Sequence, residues 1–271
     1  MTVKVMDALG HTLEATVSSQ SDTHEELPQD TALAMLLVGS ALANDSYLKV
    51  DNNGKLTVVG DPTEGAMMLA ADHYGLDKEA IQNQYPRIAE VPFSSERKRM
   101  TTIHHIEQGE LTVLDGFAES YVAFTKGAPD GLLSLSSHVF TDGEVVPMND
   151  DFLSRIETSN NQLASQGLRV LGVAFKPLSN PDDITNPEAT EHHLVFIGLI
   201  GMIDPPRSEV KDAVNTSKIA GIRPIMITGD HPMTALAIAQ QIGIVEKNAE
   251  VITGRQLTEM SDGELRSRVE D

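Results

Sequence analysis

The chain has 271 residues, 40% of them hydrophobic, with no Cys and no Trp and a formal net charge of −20. That is apolar material for one large or two modest domains with unstapled cores, and the lack of Cys excludes disulfides and thiolate metal sites. The acidic balance argues against a nucleic-acid partner, which needs a basic footprint. No apolar run approaches the roughly 18 residues of a membrane span and no apolar core follows Met1, so the chain is expected to be soluble as it stands.

Short strands are predicted over 2–5 and 12–17. Pro28 and Asp30 open a helix to Ala43, with Leu33, Leu36, Leu37 and Ser40 near one face. Residues 51–54 read as a turn before a strand over 55–59. In Asp61-Pro62-Thr63-Glu64, Asp61 can cap a helix, Pro62 suits its first position, and Glu64 sits where a capping-box acid belongs. That helix should stop near Gly75. Strands and turns fill 87–126, with strands at 100–106, 111–114 and 121–125.

Helices are predicted over 127–135 and 150–166, a buried strand over 168–175 and a polar loop over 179–187. The pattern of residues 1–200 is that of an α+β domain with a mainly antiparallel sheet. After His193 the order changes to a strand ending at Ile203, a helix over 208–220, a strand over 222–227, a helix over 232–242 and a short strand at Val251. Such alternation is βαβ and implies parallel pairing in an α/β segment. Asp204-Pro205-Pro206-Arg207 stands at the join as a stiff hinge.

Four places carry possible chemistry. Thr228-Gly229-Asp230 follows a predicted strand, where a hydroxyl, a glycine and free helix amides can seat a phosphate; a turn with Asp230 capping the next helix is the plainer reading. Lys126-Gly127-Ala128-Pro129 joins a strand to a helix, so Lys126 can meet a phosphate while Gly127 admits a ligand near the backbone; a surface lysine before a turn is the plainer reading. Phe93 through Met100 joins one aromatic to Arg97-Lys98-Arg99, a pattern that can stack a base and hold phosphates, or be a core Phe beside a solvated turn. Arg169 heads a predicted strand and can snorkel to solvent. His104-His105 and His192-His193 are neighbours that point to opposite strand faces, so neither pair makes a metal site.

The order of these segments carries a resemblance. Asp61-Pro62-Thr63-Glu64, Phe93 with Glu96-Arg97-Lys98-x-Met100, Lys126-Gly127-Ala128-Pro129, Leu168-Arg169-Val170-Leu171, Asp204-Pro205-Pro206-Arg207 and Thr228-Gly229-Asp230-His231 occur in the series found in P-type cation ATPases. The chain resembles the nucleotide-binding domain of the calcium-pump and sodium-pump branch (residues 1–200), followed by part of a haloacid-dehalogenase-like, Rossmann-type phosphorylation domain (201–271). The resemblance implies that ATP, with Mg²⁺, is the ligand. It implies that Phe93 stacks on adenine, Glu64 and Lys98 line the adenine and ribose side, and Lys126 with Gly127 closes the pocket floor. Arg169 would contact the phosphates, Asp204 and Arg207 would lie at the hinge near the nucleotide, and Thr228, Gly229 and Asp230 would receive the γ-phosphate.

Two family segments are missing. The Asp-Lys-Thr-Gly-Thr sequence, whose Asp takes the phosphoryl group, is nowhere in the chain, nor is the Gly-Asp-Gly-x-Asn-Asp segment that completes the Mg²⁺ site. Ser95 stands where some relatives carry Arg. The expectation is a piece of a membrane pump from its cytoplasmic face, one that binds ATP, works with the pump's actuator and transmembrane parts, and does not turn ATP over alone. A soluble phosphatase of the haloacid dehalogenase type would need an Asp-x-Asp-like motif before Asp61, and a docking module would bind no nucleotide.

Overall fold

The computed structural model describes residues 1–14, 25–51, 56–106, 119–179, 186–204, 208–228, 232–246, 249 and 251–270. The predicted strand at 111–114 and most of the turn at 51–54 lie outside them, as do Arg207, Gly229 and Asp230. Two compact units are formed, Met1–Leu163 with Leu168–Pro205, and Ala164–Gly167 with Pro206–Asp271.

The first unit begins with β1 (Thr2–Ala8), β2 (His11–Glu14), α1 (Thr31–Leu42), β3 (Tyr47–Val50) and β4 (Leu56–Val59). It continues with α2 (Pro62–His73), α3 (Lys78–Gln84), β5 (Arg87–Ser94), β6 (Arg99–His105), β7 (Tyr121–Gly127) and α4 (Pro129–Leu135). Next come β8 (Ser136–Thr141), β9 (Glu144–Pro147), α5 (Asp150–Ser165), β10 (Arg169–Leu178), α6 (Pro187–Thr190) and β11 (Leu194–Ile203). The main sheet runs β2-β1-β11-β10-β7-β6-β5, every neighbour antiparallel, with β8 parallel to β11 and hairpinned to β9. The α+β architecture with a mainly antiparallel sheet is therefore as the sequence predicts.

Local chemistry sets the helix starts. Asp30 accepts from the amides of Ala32 and Leu33, and Asp61 from those of Thr63 and Glu64, which satisfies donors the first turn leaves open. In α1 the sequence predicts one apolar face, but every residue except Thr31 is buried. The cause is that α1 lies on the sheet while α2 and α3 cover its far side, and a helix apolar all round is a buried one. Its Gly39 lets it approach β7 closely, since a Cβ there would sit 2.8 Å from the Phe124 ring. On the sheet's opposite face Leu132, Ile156 and Leu163 of α4 and α5 pack against Ala174, Phe196 and Leu199.

The second unit holds α7 (Ser208–Ile219), α8 (Pro232–Gln241), α9 (Gly254–Glu259) and α10 (Asp262–Glu270). Here the sequence reading is corrected: residues 222–227 and Val251 form no strand. A strand exists only through a neighbour, and β11, its expected partner, is paired on both edges by β1 and β10. Ile222, Ile225 and Ile227 are left 61%, 67% and 93% exposed. Among its described residues the second unit has helices and no strand, so the expected Rossmann-type pairing is not seen there.

Candidate functional site

Strict antiparallel alternation gathers distant sequence segments at one end of the sheet. β5 ends at Ser94 opposite Arg99, where β6 begins; Arg99 stands opposite Gly127, where β7 ends; Gly127 stands opposite Gly172, three residues into β10 from Arg169; and Arg169 pairs with Met202 near the end of β11. Phe93, Lys98, Lys126, Arg169 and Asp204 therefore lie along one rim. Five strands span four inter-strand spacings, roughly 19 Å.

Side-chain alternation then chooses faces. Lys126 shares a face with Val122 and Phe124, which pack beneath α1 and α2, and its ammonium reaches Glu64 of α2, Nζ to Oε1 2.5 Å. Both are mostly buried, at 7% and 15% side-chain exposure. The other carboxylate oxygen of Glu64 accepts from the amides of Asp45 (3.0 Å) and Ser46 (3.1 Å). Glu64 is thus no capping-box acid; its carboxylate ties the segment after α1 to β7. Burial pulls the Lys126 ammonium below the usual lysine range, and the Glu64 charge opposes that shift. Asp61 is raised by burial and pulled down further by the amides of Glu64 and Thr63, for a net lowering.

Behind Glu64, Lys78 donates to the carbonyls of Asn44 (2.9 Å) and Ser46 (2.5 Å). The 44–46 segment is thereby gripped by a carboxylate on its amides and an ammonium on its carbonyls. Lys78 also lines a cavity of about 490 Å³ with Asp45, Asp77 and Arg87. Arg169 Nη1 lies 3.4 Å from Thr63 Oγ1 in the first turn of α2, which draws the rim and that turn together.

The basic cluster divides. Arg97 and Arg99 both turn to Glu191, at 2.6 Å and 2.8 Å, while Lys98 is exposed. No sequence spacing marks Glu191, which lies more than ninety residues further along the chain. Phe93 is not a core residue: its ring is 62% exposed. Gly127 also has a packing role, because a Cβ there would stand 2.6 Å from the Lys98 carbonyl oxygen and the Arg99 Cβ. Its bareness seats the Lys98 turn. Asp204 is 3.6 Å from the amino group of Met1, and Thr228 is exposed in the second unit. No group of three or more His, Asp or Glu residues among the described ones could hold a metal ion, so these side chains do not by themselves fit Mg²⁺.

An exposed aromatic ring, an exposed lysine, a buried ion pair and an arginine thus lie along one sheet rim of an antiparallel α+β domain. The chain belongs to the P-type ATPases: residues 32–209 match the family model described as "P-type ATPase, cytoplasmic domain N". It is 39% identical over 236 residues to "Calcium-transporting ATPase 1" of Bacillus cereus, covering 87% of this chain and 24% of that protein. To "Calcium-transporting ATPase" of Bacillus subtilis it is 37% identical over 239 residues, 88% of this chain and 26% of the other. To "Sodium/potassium-transporting ATPase subunit alpha-4" of Homo sapiens it is 33% identical over 259 residues, 92% and 24%. The chain spans about a quarter of the length of these curated relatives. No described helix is long and apolar enough to cross a membrane.

Proposed function

We propose that the rim from Phe93 to Arg169 binds ATP, and that the chain is the nucleotide-holding part of a pump that drives a cation across a membrane by phosphorylating an aspartate. The observation that carries this reading is the exposed Phe93 ring on the same sheet rim as Lys98 of the β5–β6 turn, Lys126 of β7 and Arg169 of β10. Stacking on Phe93 would hold the adenine. Lys98 would meet the ribose and phosphate side, Lys126 and Glu64 would form the floor with Gly127, and Arg169 would face the phosphates. Phosphoryl transfer is mostly positioning and charge neutralisation, and these residues supply positioning.

Asp204, Arg207, Thr228, Gly229 and Asp230 belong to the phosphoryl-receiving side of the same reading. Exposed Ile222, Ile225 and Ile227, strand-forming residues without a strand, support placing them in a Rossmann-type, haloacid-dehalogenase-like phosphorylation domain. Mg²⁺ would come with the nucleotide. The pump's actuator and transmembrane parts are the partners this reading requires, with the chain at the cytoplasmic face.

Calorimetric titration of the 271-residue chain with ATP tests it. Saturable binding in the millimolar range is expected, with no hydrolysis above that of Lys126→Ala. Phe93→Ala should weaken binding about tenfold, the value of one base–aromatic stack. No binding to the folded wild-type chain, or equal binding by Phe93→Ala, would overturn the proposal.

A further inference from the structure

The ion cluster centred on Glu191 has no part in the nucleotide contacts above, yet it is built with unusual care. Glu191 is 2% exposed and follows the short α6. That helix is tied back to the sheet by Lys176, whose Nζ donates to the carbonyls of Ala189 and His192. Its carboxylate accepts from Arg97 Nη1 on both oxygens, at 2.6 Å and 2.7 Å, from Arg99 Nε at 2.8 Å and from Thr101 Oγ1 at 2.9 Å. Charge-assisted bonds of this kind are short and directional. A buried carboxylate costs heavily in desolvation unless so paired.

Each partner is one or two bonds from a residue of the rim. Arg97 Nη2 donates to the carbonyl of Pro92, next to Phe93. Arg99 Nη1 donates to the carbonyl of Arg97, next to Lys98, at 3.3 Å. Thr101 meets Thr125 at 2.9 Å, and Thr125 is next to Lys126. Thr101 and Thr125 stand opposite each other in the β6–β7 ladder, one step from the Met100–Lys126 pair. By alternation the cluster therefore lies on the sheet face opposite the Lys126 ammonium. Lys98 itself is held at φ 50°, a left-handed conformation that a non-glycine residue keeps only when its surroundings enforce it.

We infer that Glu191 is a positioning residue, whose buried carboxylate fixes from behind the sheet the turn presenting Phe93 and Lys98 and the strand end presenting Lys126. This rests on the nucleotide reading above. It also explains the division of the basic cluster: the two arginines are bound to the Glu191 carboxylate, while Lys98 is left exposed. Glu191 touches no ligand. Its effect on affinity passes through Arg97 and Arg99.

The test is a double-mutant cycle on the 271-residue chain, read by ATP titration. Glu191→Gln should weaken binding about tenfold, a loss of one charged contact's order. In a Phe93→Ala background the same change should cost clearly less, because one of the groups it positions, the ring, is already gone while Lys98 and Lys126 remain. Glu188→Gln, at an exposed acid of α6, should bind as wild type. Glu191→Gln leaves two arginines facing an amide and can fail to fold. Arg97→Gln is therefore run beside it, since it frees the Pro92 carbonyl while Arg99 and Thr101 still satisfy Glu191. Its loss must also shrink in the Phe93→Ala background.

Wild-type binding by either folded variant, or losses that simply add to that of Phe93→Ala, overturns the inference and leaves the ATP site standing. Failure of the folded wild-type chain to bind ATP overturns both. Amide NMR shifts confined to 92–100 and 125–127 are the spectroscopic signature expected of Arg97→Gln, and shifts spread through the first unit would mean a merely structural role.

Discussion

His104 lies on β6 without exposure to solvent. Its Nδ1 donates to the carbonyl of Tyr85 at 2.9 Å, and its Nε2 lies 2.9 Å from Thr102 Oγ1. Burial pushes its pKa from 6.5 down to about 4. Between those values the unfolded chain binds the proton and the folded chain does not, so folding stability rises with pH across that window. The contribution is fully present above about 6.5 and is lost as pH falls towards 4, on the order of 3 kcal/mol. Urea melts taken from pH 7 to pH 4 should show this slope, and His104→Gln should flatten it while leaving the carboxylate-driven loss below pH 4. An unchanged slope in the variant would place the acid sensitivity elsewhere.

Where β6 meets β7, a single missing methyl group decides the geometry. Ala128 N donates to the Lys98 carbonyl at 3.1 Å, and Gly127 leaves the room for that approach. Gly127→Ala should destabilise the first unit by about 1–3 kcal/mol through overpacking and weaken ATP binding at the same time, because Lys98 rides on the displaced turn. Denaturant midpoints together with titration check both; a stable variant with wild-type affinity would contradict the packing argument. Such contacts divide what was legible in the sequence from what was not. Asp30 and Asp61 announce their helices because a cap is written within four residues. Asp142-Gly143 also carries a hairpin signal, with φ of 52° and 80° as a two-residue primed turn requires, and it went unread because flanking Thr141 and Glu144 look like loop. Glu191 could not be read at all, since its meaning lies in arginines on another strand. The row of motifs was legible as a series, whereas its common rim came only from register.

Buried apolar residues are distributed unevenly between the two units. Among the described residues, the buried apolar ones of the second unit are Val214, Ala239 and Ile242, against a core in the first that runs from Val3 to Met202. Local stability follows buried contact density. Native-state hydrogen exchange should therefore find the amides of α1, β7 and β11 opening only with the whole first unit, and those of α7 to α10 exchanging orders of magnitude faster. Saturating ATP should slow exchange in the first group by linkage and leave the second unchanged; uniform protection across both units would refute this division. The apolar pattern over 222–227 misled for a related reason: strand-forming residues describe a capacity to pair, and pairing is settled by what stands beside them.

β1 opens the first unit and β11 closes it, with Thr2 opposite Ile203 in antiparallel register. The polypeptide therefore enters and leaves this unit through adjacent lanes, a few ångströms apart, after a detour of some two hundred residues. A module wired in this way can be lengthened, trimmed or exchanged between host chains without moving the host's own ends. It also cannot be completed at the ribosome until its last strand emerges, so β1 must wait, unpaired on its inner edge, for almost the whole unit to be made.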